Sequence, residues 1–348
     1  MGDVHAENYG AFRSVTGNIV YDINDFDEAT DGAYEWDVLR LTVSLMLAGL
    51  GQHRYGDTLH AAEAAVRAWL DGLRQWRAYS RKAFEELPEA DEVRDLLKSS
   101  KEQSRVKFLK KLAKPDGEGS FRFEGDEDYT RVPEADAAVR RALPEYLTGC
   151  LAPNNAVPSR YILQDVATRL AGTGSMGRHR YALLLDKGLK DKPEYSSLRL
   201  VEWKQALDSS LDTPRPRAGM RRAQQVFQYT KRFQLFPKRY LGVARMSGLP
   251  MQAREIGSND QRFSPKRFAT PARLSRAASI FGAILARCHL LGAAGSEGPR
   301  AIPDLIAGQE DRYVNRLLGF TASYAARVCD EHAELLARRE EVARAWRR

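Results

Sequence analysis

The chain has 348 residues, 43% hydrophobic and 29% charged, a globular composition with length for about two domains or one two-lobed unit. No apolar run is expected to span a bilayer, and the start lacks the basic-then-apolar pattern of a signal peptide. The net charge of +8 is uneven, with ten Lys or Arg and no acid from Thr213 to Arg254; such a field suits nucleic acid, phosphorylated ligands or anionic lipid, or is only a solvated helix face.

Cys150, Cys288 and Cys329 are isolated, which fits reduced thiols and a cytoplasmic location. In chain order, "SVTGN" reads as a turn into a strand, "GNIVYDINDF". "YEWDVLRLTVSLMLAGLG" has helical spacing and stops at its glycines. Amphipathic helices are expected over Asp57–Tyr79 and, broken near Pro88, over Arg81–Ser99. Residues 100–135 are a charged insertion, in which "GSFRFEGDEDYTRV" suggests an exposed hairpin. A short helix near Glu134–Leu143 is expected to stop at Pro144.

Beyond Pro153 the texture changes. "YILQDVATRLAGTGSMGRHRYALLLDKG" reads strand, glycine turn, strand, and "SSLRLVEWKQA" is a third strand. "RAGMRRAQQVFQYTKRFQ" is a helix, and "RYLGVARMSG" with "LPMQAREIG" forms a strand pair. From Pro271 the pattern is helical, ending in a helix over about Asp311–Arg339. The expected class is α+β, with a helical lobe from 1–153 and 263–348 and a β-rich lobe over 154–262.

Two constellations carry chemistry. Asp3, His5 and Asn8 open the chain, and Asp25 and Asp27 follow a strand in "NDFDEA". Phosphoryl transfer needs a carboxylate for the acceptor hydroxyl, and Asn and Asp oxygens to hold Mg²⁺ against the phosphates of ATP. "GDVH" is also similar to the first metal motif of metallophosphoesterases, but the later motifs of that family are missing. The second constellation is Gly172, Gly174, Ser175 and Gly177, followed by Lys204. A strand rather than a helix follows these glycines, which argues against a dinucleotide fingerprint and for a loop covering phosphates. Lys204, one strand on, is placed to reach those phosphates. The usual kinase order of the two halves is reversed, with "AILARCHLLGAAG" near residue 290 resembling the helix that precedes a catalytic loop. That order reads as a circular permutation cut just before the loop.

"GDVHAENYG", "YDINDFDEA", "EWDVLRLTVSL", "DVATRLAGTGSMG", "LARCHL" and "YAARVCDEHAEL" together resemble a large bacterial family of proteins of unknown function. Their loops are similar to those of aminoglycoside and choline phosphotransferases, in the protein-kinase-like superfamily. The resemblance implies a two-lobed kinase-like fold, with Asp3 as catalytic base and Asn8 and Asp25 as Mg²⁺ ligands. Asp27 would be a further acidic ligand or hold water, Asp37 a structural carboxylate under the loop, and the glycines with Lys204 the nucleotide site. His5 would pack to hold the loop, and His289 would be satisfied near it.

Three departures from the pattern set further expectations. A catalytic loop at residue 1 would fray unless held, implying a truncated start or lost activity. The helix after Pro214 has no acid to pair with Lys204, leaving Gln224 or Gln228 to substitute. The basic stretch lies on that helix and the strands after it, enlarging an anion-binding surface. The expected activity is transfer of the ATP γ-phosphate to a hydroxyl of a small-molecule or anionic acceptor. The alternatives are a catalytically impaired nucleotide-binding protein or nucleotidyl transferase, and a basic nucleic-acid-binding module, against which the absence of RNA-recognition signatures counts.

Overall fold

A computed structural model of the chain describes residues 1–51, 54–75, 91–125, 127–154, 156–172, 177–212, 220–293 and 297–345. Its elements in order are β1 (Tyr9–Arg13), β2 (Ile19–Ile23), α1 (Tyr34–Leu50), α2 (Tyr55–Gln75), α3 (Asp91–Lys101), α4 (Arg105–Leu112), β3 (Ala113–Pro115), β4 (Phe121–Phe123) and β5 (Tyr129–Arg131). There follow α5 (Asp136–Gly149), β6 (Ile162–Arg169), β7 (Arg180–Asp186), β8 (Leu198–Gln205), α6 (Met220–Phe233), β9 (Gly242–Met246), β10 (Leu249–Glu255) and β11 (Gln261–Arg262). The chain ends in α7 (Pro271–Gly292), α8 (Gly298–Leu305), α9 (Glu310–Ala337) and α10 (Arg339–Ala345). It is a mixed α and β protein whose sheets are antiparallel.

Two compact units emerge: residues 1–3, 9–31 and 93–262 form the first, and residues 4–8, 32–92 and 263–348 the second. The expected helical segment 1–153 therefore divides, since 9–31 and 93–153 belong with the β-rich stretch.

The first unit is built on a six-stranded sheet in the order β5-β6-β7-β8-β10-β9. Strand alternation gives it two buried faces. Leu183, Val201, Trp203 and Met251 pack with Tyr146 and Leu147 of α5, while Leu184, Leu198 and Leu200 pack with Leu109, Phe121 and Phe123. β1 and β2 form a hairpin that β11 extends.

Two expectations change here, and a third falls partly outside the described residues. The segment read as one exposed hairpin splits: β4 pairs with β3 and β5 with β6, and Phe121 and Phe123 are buried. Pro144 lies inside α5 instead of ending it, because Tyr146 and Leu147 beyond it are core residues. Of the helix expected over Arg81–Ser99, residues 81–90 lie outside the described residues, and α3 supplies the rest.

The second unit is helical. Thr270 caps α7 by accepting from the Arg273 N–H at 3.3 Å, with Pro271 at the first helical position. α7 crosses α2 closely: a Cβ at Gly282 would lie 2.1 Å from the Ala65 carbonyl oxygen. By length and composition alone α7 could cross a membrane, but 72% of its apolar window is buried, as in a core helix, which agrees with the expectation that no run spans a bilayer. The hydroxyls of Thr42 on α1 and Thr321 on α9 bond at 2.8 Å.

Candidate functional site

The register of three strands in the first unit builds the site. Lys204 on β8 lies opposite Arg180 on β7 and Gln252 on β10, and Glu202 lies opposite Arg254. Residues two apart share a face of a strand, so these side chains converge. They meet the segment after β2. Lys204 Nζ forms an ion pair with Asp27 Oδ2 and lies 3.9 Å from Asp25 Oδ2. Gln252 Nε2 donates to Asp27 Oδ1. Arg254 donates to Asp25 Oδ2 at 3.2 Å and to the Asn24 carbonyl at 2.6 Å. Asp25 and Asp27 are also joined, the Asp27 N–H donating to Asp25 Oδ1 at 3.3 Å.

Beneath this pair Glu202, 1% exposed, binds Arg169 and Arg180 at 2.5 Å each and Arg254 at 3.2 Å. Burial alone would push its carboxyl up, but Arg169, Arg254 and Arg180 hold it well below the usual range. The two aspartates diverge. Burial raises Asp25, yet Arg254 and Lys204 hold it well below its ordinary value. Burial and the neighbouring Asp25 charge push Asp27 up to about 6. One carboxylate of the pair is thus firmly ionised and its neighbour sits near its titration point.

The loop between β6 and β7 is tied to the same cluster. Gly172 and Gly177 have φ of +73° and +82°, a region costly for other residues. Gly174 and Ser175 lie outside the described residues. Arg180 donates to the Ala171 carbonyl, and Arg178 lies 3.3 Å from Glu28 and 3.9 Å from Asp27. Glu28 also accepts from the Ser210 N–H at 2.7 Å.

Gly2 fixes the opening segment against this cluster. Its φ is +90°, and a Cβ there would lie 2.2 Å from the Glu28 carbonyl oxygen. Asp3, half-buried, follows directly in the same unit. Asn8 belongs to the second unit, where Val4 and Ala6 are buried and the Ala6 N–H donates to Ser44 Oγ of α1 at 2.8 Å. Contacts at Gly2 and at Ala6 thus hold the segment, which is the condition the sequence set for such a loop not to fray. In the same unit Asp37 Oδ2 lies 3.0 Å from His289 Nε2, and Trp69 Nε1 donates to His289 Nδ1 at 3.0 Å.

The partner of Lys204 differs from expectation. Gln224 and Gln228 are exposed, and α6 instead presents the buried Arg222, which donates to the carbonyls of Asp27, Ala29 and Leu207. The acid comes from the Asp-Phe-Asp segment. Arg254, Gln252, Arg178, Arg180 and Glu202 were missed, although the Glu202/Lys204 and Gln252/Arg254 pairs carry the two-residue strand period. Half of the eight described cations of the basic stretch are spent internally, while Arg221, Lys231, Arg232 and Arg245 are exposed. Arg222 is 0% exposed, Lys238 and Arg239 pair with Asp260 and Glu255, and Arg254 with Asp25 and Glu202.

Among the described residues no three His, Cys, Asp or Glu cluster as a ready metal cage. The oxygen set nevertheless suits Mg²⁺, which takes one or two carboxylates together with phosphate oxygens. Asn24 Oδ1, buried and without a hydrogen-bond partner among the described residues, lines the same small cavity as Asp25 and Asp27. That cavity measures about 30 Å³, room for a water or an ion.

A mixed α and β chain with a buried lysine–aspartate cluster, tied by Arg178 and Arg180 to the connection between β6 and β7, is the class that fold and site define. The chain belongs to the bacterial family described as "Uncharacterized protein conserved in bacteria (DUF2252)", whose model matches residues 1–338. No curated protein and no solved structure matches it.

Proposed function

We propose that the protein is a kinase-like phosphotransferase, a circularly permuted member of that superfamily, moving the γ-phosphate of ATP to a hydroxyl of a small molecule. The observation that carries this reading is the ion pair of Lys204 with Asp27, beside Asp25. Kinases require a strand lysine for the phosphates and an Asp-Phe aspartate for Mg²⁺, held close together. The element order supports it: two strands joined through Gly172 and Gly177, a lysine strand, a helix, then two more strands.

In this reading Asp25 and Asp27 hold Mg²⁺, which neutralises phosphate charge when bound. Lys204 exchanges Asp27 for phosphate oxygens, Gly172 to Gly177 cover the phosphates, and Asp3 receives the acceptor proton. One observation favours a second reading, nucleotide binding without transfer. α6 brings Arg222 where kinases bring the glutamate that steadies the lysine.

A thermal shift with ATP and Mg²⁺ tests both. The expected result is a shift in the wild type that Lys204→Ala abolishes, with slow ATP turnover falling by about 10² to 10⁴ in Asp3→Ala. No shift in the wild type overturns both readings. A shift without turnover leaves the second.

A further inference from the structure

A second cavity in the first unit, of about 600 Å³, shares no lining residue with the lysine–aspartate cluster. Its walls carry five cations, Arg13, Arg105, Lys187, Arg199 and Arg239, against one carboxylate, Glu255. Glu255 is already matched, since Arg239 binds it through two hydrogen bonds of 2.7 and 2.5 Å. The other four have no carboxylate partner among the described residues. Arg13 donates to Asn259 Oδ1 at 3.2 Å and to the Gly17 carbonyl at 2.7 Å. Arg105 and Arg199 share the Ser196 carbonyl, at 3.0 and 3.2 Å.

Arg199 is 5% exposed, and its buried Nε has no hydrogen-bond partner; nor has that of Arg105. Lys187, half-buried, has no hydrogen bond or ion pair among the described residues. The N-terminus of α4, capped by Ser104, opens on the same space and adds partial positive charge. Burying unpaired cations together is costly in itself. Desolvation and the fields of Arg199 and Arg239 push the Arg105 guanidinium down to about 10, and desolvation with Arg199, Arg105 and Arg239 lowers Lys187. A volume of this size is that of a small-molecule site.

We propose that this cavity binds a small molecule carrying two or more phosphate groups, held by Arg13, Arg105, Lys187 and Arg199. The site is separate from the one assigned to nucleotide. Strand alternation sets Arg254 of β10 toward the aspartates, where it lines their cavity, while its neighbour Glu255 lines this one. A ligand here replaces mutual repulsion among the guanidinium and ammonium groups with charge-assisted hydrogen bonds.

Titration calorimetry on the full chain with inorganic tripolyphosphate, and with orthophosphate for comparison, tests this. Tripolyphosphate is expected to bind at least about tenfold tighter than orthophosphate, and more weakly as salt rises. Lys187→Gln and Arg199→Gln should each weaken tripolyphosphate by about tenfold or more, while Lys204→Ala leaves this binding in place. Lys187→Gln removes a repelled, partly exposed charge, so without ligand its unfolding temperature should match or exceed the wild type. It keeps the test open if Arg199→Gln misfolds. Equal affinity for the two anions, unchanged binding in Lys187→Gln, or loss in Lys204→Ala overturns the proposal. Failure of this site leaves the nucleotide reading untouched, and failure of that reading leaves this site.

Discussion

His289 Nε2 stands 3.0 Å from Asp37 Oδ2, while its Nδ1 accepts a 3.0 Å hydrogen bond from Trp69 Nε1. An indole N–H can only donate, so Nδ1 carries no proton and Nε2 donates to the carboxylate. Adding a proton at Nδ1 would set two donors against each other. Burial accordingly lowers the His289 pKa, although Asp37 pulls it upward. Burial would raise Asp37, but the His289 hydrogen bond draws it down to about 2.

The pH consequence follows from proton counting. Below about 6.5 an unfolded His takes up a proton that buried His289 refuses, so the unfolded state binds more and stability falls. Between about 4 and 2 an unfolded Asp protonates while Asp37 does not, and stability falls again. Urea midpoints from pH 8 to pH 5 check the first step. His289→Phe should flatten it, at a cost near neutrality of about 1 to 3 kcal/mol for the buried hydrogen bond to Asp37 that it removes. Parallel pH curves for the two proteins would remove His289 as the cause.

Asp25 and Asp27 should respond oppositely to neutralisation. Asp25, ionised well below the usual range, stabilises the fold above about pH 4, where its unfolded counterpart is charged too. That stabilisation is lost as pH falls through the low folded value. Asp27, raised to about 6, opposes folding in its charged form, and its protonated form favours folding below that pH. Asp25→Asn should therefore destabilise more at pH 7 than Asp27→Asn, because it removes a charge that folding favours beside Arg254 and Lys204, whereas Asp27→Asn removes one that folding disfavours. Thermal melts of the two variants decide it, and the reverse ranking counts against the assignment.

Much of this was legible in the sequence, and the rest was hidden for identifiable reasons. The helical periods of α1, α7 and α9 and the strand–glycine–strand pattern of β6 and β7 stand out because one local rule dictates each. β1 was overlooked because Gly10 interrupts its strand pattern. The structure needs that glycine, since a Cβ there would lie 2.2 Å from the Gln261 carbonyl oxygen. Phe121 and Phe123 alternate inward, but charged neighbours made their segment read as exposed. Lys204 and Asp27 were each singled out, yet their pairing spans 177 residues and depends on sheet register, which no local pattern carries. The Arg105–Arg199 cavity was invisible for the same reason, its walls coming from seven separate stretches of chain.

Glu202 should be among the costliest positions to neutralise. Arg169, Arg180 and Arg254 converge on it at 2.5, 2.5 and 3.2 Å. In Glu202→Gln the amide keeps the shape but removes the one charge that three buried guanidinium groups share, at a cost of about 3 to 5 kcal/mol. Chemical denaturation measures it. A loss under about 1 kcal/mol would mean that water screens the cluster as at a surface.

Gly2 and Gly17 separate backbone strain from steric conflict at the site. Both have φ of +90°, but a Cβ at Gly17 meets nothing within 4 Å, whereas at Gly2 it meets the Glu28 carbonyl oxygen at 2.2 Å. Gly17→Ala should cost only the left-handed penalty, about 1 kcal/mol. Gly2→Ala adds a clash with backbone that cannot rotate away, for a total of about 2 to 4 kcal/mol. Relief requires Glu28 to move, and Glu28 holds the Ser210 N–H and Arg178. Gly2→Ala should therefore also weaken any Mg²⁺–ATP response, while Gly17→Ala leaves it unchanged. Equal melting temperatures for the two variants would show that Gly2 does not sit against Glu28 in solution.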